Sequence, residues 1–134
     1  MSSLPTPVPE VNPETAPFWA ATAQGKLLLR RCNDCNEFIW YPRTICPECS
    51  SMNTDWYESA GTGTIYSFTV NNRGDGPYRE ATPFVLAYVE LTEGPRIMTN
   101  IVADDLDSLA VGLPVRVIFD DTGSGSALYR FTPA

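Results

Sequence analysis

The sequence predicts a mainly β chain: one short N-terminal helix, then a small cysteine-rich ribbon, then a five-stranded barrel. Three observations carry this. All four cysteines fall in one stretch, CNDCNEFIWYPRTICPECS, as two Cys-x-x-Cys pairs. Beyond Gly61 the chain reads as short apolar-polar alternations parted by Gly- and Pro-bearing turns, the pattern of strands. A proline-rich start gives way to Asn12-Pro13-Glu14, a helix-start signature. At 134 residues the chain has the length of one ordinary domain or two very small ones. The boundaries expected are 1–25 for the arm and helix, 26–60 for the ribbon and 61–134 for the barrel.

Residues 1–11 carry three prolines and little hydrophobicity, so an extended arm is expected there. The helix should run from Asn12 through TAPFWAATA and stop at Gly25, a C-terminal cap, with Pro17 shortening it. Trp19 and Ala23 share one face, with Phe18 beside them. LLLRR (27–31) is a strand into the first cysteine pair, FIWYP (38–42) a strand between the pairs, and DWYESAG (55–61) leads out. The barrel strands follow: GTIYSFTVN (63–71), PFVLAYVEL (83–91), RIMTNIV (96–102), LPVRVIFD (113–120) and ALYRFTP (127–133). A long loop, NRGDGPYREAT (72–82), separates the first two. ADDLDSLAVG (103–112) reads as one or two helical turns between the third and fourth. Five strands in that order, with a helix in that place, match the small Greek-key barrel called the OB-fold. A generic five-stranded sandwich has the same strand count.

A Cys-x-x-Cys turn presents two thiolates to one metal, and two such turns supply the tetrahedral set zinc prefers. The candidate ligands are Cys32, Cys35, Cys46 and Cys49. Ten residues between the pairs suffice for a hairpin that joins them. A region of this size cannot build a core of its own, so the metal would supply much of its folding free energy. Iron in a rubredoxin-like cage uses the same ligands. A closed four-sulfur shell leaves no position for substrate, which makes the site structural.

Composition narrows the function. The chain has no histidine, so the commonest general acid-base and the usual activator of nucleophiles are missing. No catalytic residue is expected. Net charge is −7, with nine basic residues against sixteen acids, which opposes nucleic-acid binding by counterion release. Tyr66, Phe68 and Tyr88 could stack bases, but at strand spacing they read as core. No apolar run reaches the ~20 residues of a membrane helix, and the N-terminus lacks a secretory signal, so a cytoplasmic setting is expected.

The order of motifs resembles a known family. The chain runs helix, LLLRRCNDCNEFIWYPRTICPECSS, WYESAGTGTIYSFTV, PFVLAYVELTEGPRIMTNIV, VGLPVRVIFDD, LYRFTP. The second knuckle P-R-x-x-C-P-x-C and the lead-in S-x-G-x-G-T-I-Y-S are the most specific parts. The chain is similar to the acyl-CoA-associated zinc-ribbon and OB-fold proteins known as domain of unknown function 35. The resemblance covers the chain from about Phe18 to Phe131. It implies an accessory subunit of a thiolase-superfamily enzyme, a thiolase or a thiolase-like aldolase acting on CoA esters in steroid or other lipid degradation. The partner would carry the catalysis, in two copies of each chain.

That reading suggests further residues. CoA phosphates need local positive charge on an acidic protein, and arginine offers them a planar fork. Arg73 and Arg79, in the long loop, are the candidates. Arg30, Arg31 and Arg43 in the ribbon are a second set. Phe18 and Trp19 on the helix are expected to face the partner, the alternative for Trp19 being that it packs on the ribbon. The alternative function is a zinc-ribbon and OB-fold module for single-stranded nucleic acid.

Overall fold

The computed structural model describes residues 4–134. Helix α1 (Ala16–Thr22) begins later than the Asn12-Pro13 signal suggests. The Thr15 amide donates to Asn12 Oδ1 (3.0 Å) and the Asn12 amide to Thr15 Oγ1 (3.3 Å), so these residues close a turn ahead of the helix. Pro17 then falls in the first turn, where its missing N–H costs no intrahelical bond. Gly25 ends the helix as expected. With φ of 77° it lets the Gly25 amide reach Thr22 O and the Lys26 amide reach Ala21 O.

The ribbon is a three-stranded antiparallel sheet of β1 (Leu28–Cys32), β2 (Phe38–Ile39) and β3 (Thr54–Glu58), in the order β2-β1-β3. The strand expected over 38–42 shrinks to two residues. Trp40 and Tyr41 leave the ladder to pack edge-on against Phe18.

Five strands form the closed barrel: β4 (Thr62–Asn71), β5 (Phe84–Leu91), β6 (Arg96–Ile101), β7 (Pro114–Asp121) and β8 (Ala127–Pro133). Their order is β4-β5-β6-β8-β7, and β4 pairs with β7 to close the ring. This is the OB-fold arrangement, so the sandwich reading falls away. A 3-10 turn over Leu106–Ser108 stands between β6 and β7, capped by Asp105 and followed by Gly112 at φ 90°. Gly63 is required by contact: a Cβ there would lie 2.4 Å from the Glu90 carbonyl oxygen of the neighbouring strand.

The barrel interior is filled by Ile65, Val85, Val89, Leu91, Ile97, Val115 and Phe131. The same apolar cluster takes in Phe18 and Trp19 of α1 and Leu27 and Leu29 at the start of the ribbon. The helix is therefore the joint between ribbon and barrel. Phe18, 0% exposed, lies 4.9 Å from the Trp19 ring centre, 5.5 Å from Trp40, 5.7 Å from Tyr41 and 6.0 Å from Tyr129. Trp19, 7% exposed, donates its Nε1–H to the Tyr41 hydroxyl at 2.8 Å. The expectation that these two face a partner is thus corrected: the ribbon and Tyr129 cover them. Burial, then the Tyr41 field, push the Tyr129 hydroxyl up to about 12.

Tyr66 and Tyr88 are corrected in the other direction. Both stand exposed on the outer face of the barrel: Tyr66 follows the buried Ile65 at the bulge of β4, and Tyr88 falls between the buried Ala87 and Val89 in the regular alternation of β5. Arg96 covers Tyr66, its guanidinium 3.9 Å from the ring centre and its Nε 2.9 Å from Glu90 Oε2.

Phe18→Ala should cost ~3–5 kcal/mol of stability, the range for truncating a fully buried aromatic. Urea unfolding of the metal-loaded chain measures it. A loss under ~1 kcal/mol would mean that the surrounding rings close the gap and that Phe18 is not the joint.

Candidate metal centre

Two loops of the same shape carry the cysteines. In the first, the Asn36 amide donates to Cys32 O (3.0 Å); in the second, the Ser50 amide donates to Cys46 O (2.9 Å). Asn36 and Ser50 close their loops at φ of 64° and 63°. Asparagine tolerates this left-handed conformation; serine adopts it at some cost. The two knuckles are thus copies, and they face each other.

The four sulfur atoms meet. Cys32 Sγ lies 3.6 Å from Cys49 Sγ, and Cys35 Sγ lies 3.6 Å from Cys46 Sγ. All four fall within 4.8 Å of one another. A disulfide needs ~2.05 Å, so these are free thiols. A tetrahedron with ~2.3 Å metal–sulfur bonds has edges of about 3.8 Å. The cluster is that size, so the four cysteines are positioned for one tetrahedral ion. Cys32 and Cys46 are buried, Cys35 is half-buried and Cys49 is exposed.

The surrounding amides explain how such a cluster is tolerated. The Cys35 amide, then that of Asp34 against the opposing effect of burial, brings the Cys32 thiol down to about 7. Cys35 goes the other way, to about 12: the Glu37 amide favours its thiolate, but burial and the three neighbouring sulfurs outweigh it. Without a cation the sulfurs cannot all ionise at this distance. A divalent ion removes that conflict, which is the chemical test the donor set passes.

A polar belt ties the knuckles together, and sequence reasoning had no signal for it. Asp34 of the first loop accepts from Ser51 Oγ and from Asn53 Nδ2 (3.3 Å) beyond the second. Asn33 Nδ2 donates to Asp55 Oδ2 at 2.8 Å. Arg30 Nη2 donates to the Thr54 carbonyl (2.8 Å) and hydroxyl (2.6 Å), and Thr54 Oγ1 donates to Thr44 O (2.7 Å).

The arginines are less concentrated. Arg30 lies over Trp56 and Arg31 over Phe38, and as neighbours on β1 they point to opposite faces. With Arg43 they form no single cationic site. Arg73 and Arg79 are both exposed in the 72–83 loop. Arg73 lines a shallow concavity of about 340 Å³ with Asn71, Asp75, Tyr78, Leu86 and Asn100. Arg79 caps the 3-10 turn Gly76–Tyr78 and is not part of that lining.

Residues 19–54 match the rubredoxin-like zinc ribbon domain of ChsH2, and residues 56–120 match its C-terminal OB-fold domain. A DUF35 domain-containing scaffold protein of Methanothermobacter thermautotrophicus is 33% identical over 108 residues, 79% of this chain and 81% of that protein. The chain belongs to the DUF35 family. A probable enoyl-CoA hydratase alpha subunit of Thermomonospora curvata is 37% identical over 128 residues. That match takes in 96% of this chain but 40% of the longer relative. Among solved structures, a chain of the Ltp2-ChsH2(DUF35) aldolase superposes with a TM-score of 0.82 at 36% identity, over 94% of this chain and 98% of the other. Among the described residues, no helix of this DUF35 protein is long and apolar enough to cross a membrane.

The chain purified without chelator should carry about one divalent ion. Cys46→Ser should lower that content several-fold and loosen the ribbon while the barrel's far-UV signal persists. Elemental analysis with circular dichroism reads both. Full metal content in the variant would show that the four sulfurs are not the ligand set.

Proposed function

We propose that this chain is a non-catalytic scaffolding subunit of a thiolase-fold enzyme that acts on CoA esters, with zinc in the four-sulfur shell. The observation that carries the reading is the likeness to a chain of the Ltp2-ChsH2(DUF35) aldolase, which extends over nearly the whole of both chains. The scaffold name of the archaeal relative and the hydratase-subunit name of the actinobacterial one support the same class. The residue inventory agrees. There is no histidine, and every thiol stands in the metal cluster. Four sulfurs close the ion's coordination shell, so zinc would hold the ribbon and take no substrate.

The barrel would contribute to CoA binding through its 72–83 loop. OB-folds take ligands on their second and third strands and on the loop after the first. Here those are β5, β6 and the loop that carries Arg73. The Arg73 concavity shares Tyr78, Leu86 and Asn100 with an apolar slot of about 320 Å³ on the same face. An arginine joined to an apolar trough suits an anionic head on a hydrocarbon tail, with Asp75 of the same lining opposing it. Arg73 is the better of the two loop arginines for a phosphate, because Arg79 stands outside this lining.

Co-expression with a thiolase-fold protein of the same genome tests the assembly. Size-exclusion chromatography with light scattering should give one peak holding two copies of each chain, since such enzymes are symmetric dimers. Two separate peaks at micromolar concentration, with the partner fully active alone, would show that this chain is not its subunit. Within the complex, Arg73→Ala should raise KM for the CoA ester about tenfold with kcat held, the loss of one charge-assisted contact. Arg79→Ala should change KM by less than about twofold. Equal effects at both positions would mean the loop acts only through its net charge.

A further inference from the structure

The N-terminal arm is built as a stiff rod. Pro5, Pro7 and Pro9 have φ locked near −65°, and Leu4, Thr6 and Val8 each precede a proline and are pushed to extended backbone. Six such residues span about 15 Å as a polyproline-type helix. Without the proline amides the arm cannot add to the barrel as another strand.

The rod touches the barrel at its two ends. At one end Leu4 sits among Phe84, Ile101 and Leu106, and the Pro5 carbonyl accepts from Arg130 Nη2. Arg130 is 1% exposed, paired with buried Asp120, and also donates to the Tyr78 hydroxyl at 3.3 Å. The donor that holds the arm is therefore itself fixed by the core and by the 72–83 loop. At the other end Pro9 is half-buried, ahead of the Asn12–Thr15 turn. Between these points the arm stands clear of the barrel: Thr6, Pro7 and Val8 are exposed, Val8 at 61%. Beneath lies the apolar slot of about 320 Å³, with Pro7, Val8 and Pro9 on one wall and Trp19, Leu86, Met98, Leu128 and Tyr129 opposite.

We propose that residues 4–9 form a hinged strap over this slot, latched by Arg130 at the Pro5 carbonyl, and that its release admits a ligand with an anionic head and a hydrocarbon tail. The hinge is at Glu10 and Val11, both exposed and ahead of the fixed turn. A rod of prolines suits this role because it loses little backbone entropy when it latches. The anionic head would lie toward Arg73, in the adjoining concavity. The ligand class rests on the function proposed above; the strap does not, and it is testable without any partner.

The test compares the full-length metal-loaded chain with a variant lacking residues 2–6, using 8-anilinonaphthalene-1-sulfonate, an apolar anion, as probe. A strap closed nine-tenths of the time weakens binding about tenfold, so the shortened chain should bind the probe about tenfold more tightly. Met98→Glu, at an exposed position of the slot, should abolish that gain. Equal affinities in the two chains, both with native near-UV circular dichroism, would overturn the proposal, and so would a gain that survives Met98→Glu. If the shortened chain does not fold, NMR relaxation of the intact chain decides. Exchange of Thr6 and Val8 with a minor state of about a tenth in relaxation dispersion would sustain the hinged latch, and order parameters below ~0.6, or rigid backbone with no such exchange, would overturn it. A strap that behaves as stated alongside a chain that forms no thiolase complex would leave this inference standing and the proposed function lost.

Discussion

Four sulfur atoms packed within 4.8 Å are the constraint on which the N-terminal half depends. The ribbon has little else to hold it. Its own apolar cluster is Cys32, Ile39 and Cys46, with Cys35 against it, so two of its three buried members belong to the four-sulfur cluster. Its strands are short, and β2 is two residues long. Thiols at this spacing repel as they ionise, and an ion that neutralises them turns the repulsion into a staple. The hydrogen bonds of Asp34 to Ser51 and Asn53 bring the two knuckles into register but lie at the exposed rim.

The ribbon reaches the barrel through rings. Phe18 is in contact with four aromatic side chains drawn from α1, the segment after β2 and β8. Edge-to-face packing of this kind is directional, so it sets an angle as well as burying area. Ser59 and the Ala60 amide add a second tie at the linker, both donating to Glu93 of the β5–β6 turn at 2.9 Å. These contacts hold the ribbon and the barrel in a constant relation. The same packing takes Trp19 out of use as an interface anchor.

Arg130 and Asp120 form a second centre, within the barrel. A buried ion pair is a poor source of stability, since desolvating both charges costs about what their attraction returns. What this pair does is hold a guanidinium at a fixed point, where it meets the Pro5 carbonyl and the Tyr78 hydroxyl. The arm and the long loop therefore converge on one residue. The groove between them inherits its shape from that convergence.

Local rules were legible in the sequence. Cys-x-x-Cys spacing, the glycine that ends α1 and the barrel strands between turn residues all depend on neighbours a few positions apart, and the structure has them where those rules put them. The strand order and the place of the helical turn favoured a closed barrel over a sandwich, and the pairing of β4 with β7 decided it. Four other features were not legible. Trp19 is buried because Tyr41 and Tyr129, distant in sequence, fold over it. Tyr66 and Tyr88 face outward next to the buried Ile65 and Val89, and alternation by itself cannot say which face of a strand is inside. Arg73 and Arg79 differ because a 3-10 turn between them places only Arg73 at the groove. Arg130 reads in the sequence as one more surface cation on an alternating strand. Only the tertiary structure sets it against Asp120, ten residues back across a hairpin, and against Pro5 at the far end of the chain, because burial of a charge depends on which distant segments come to cover it.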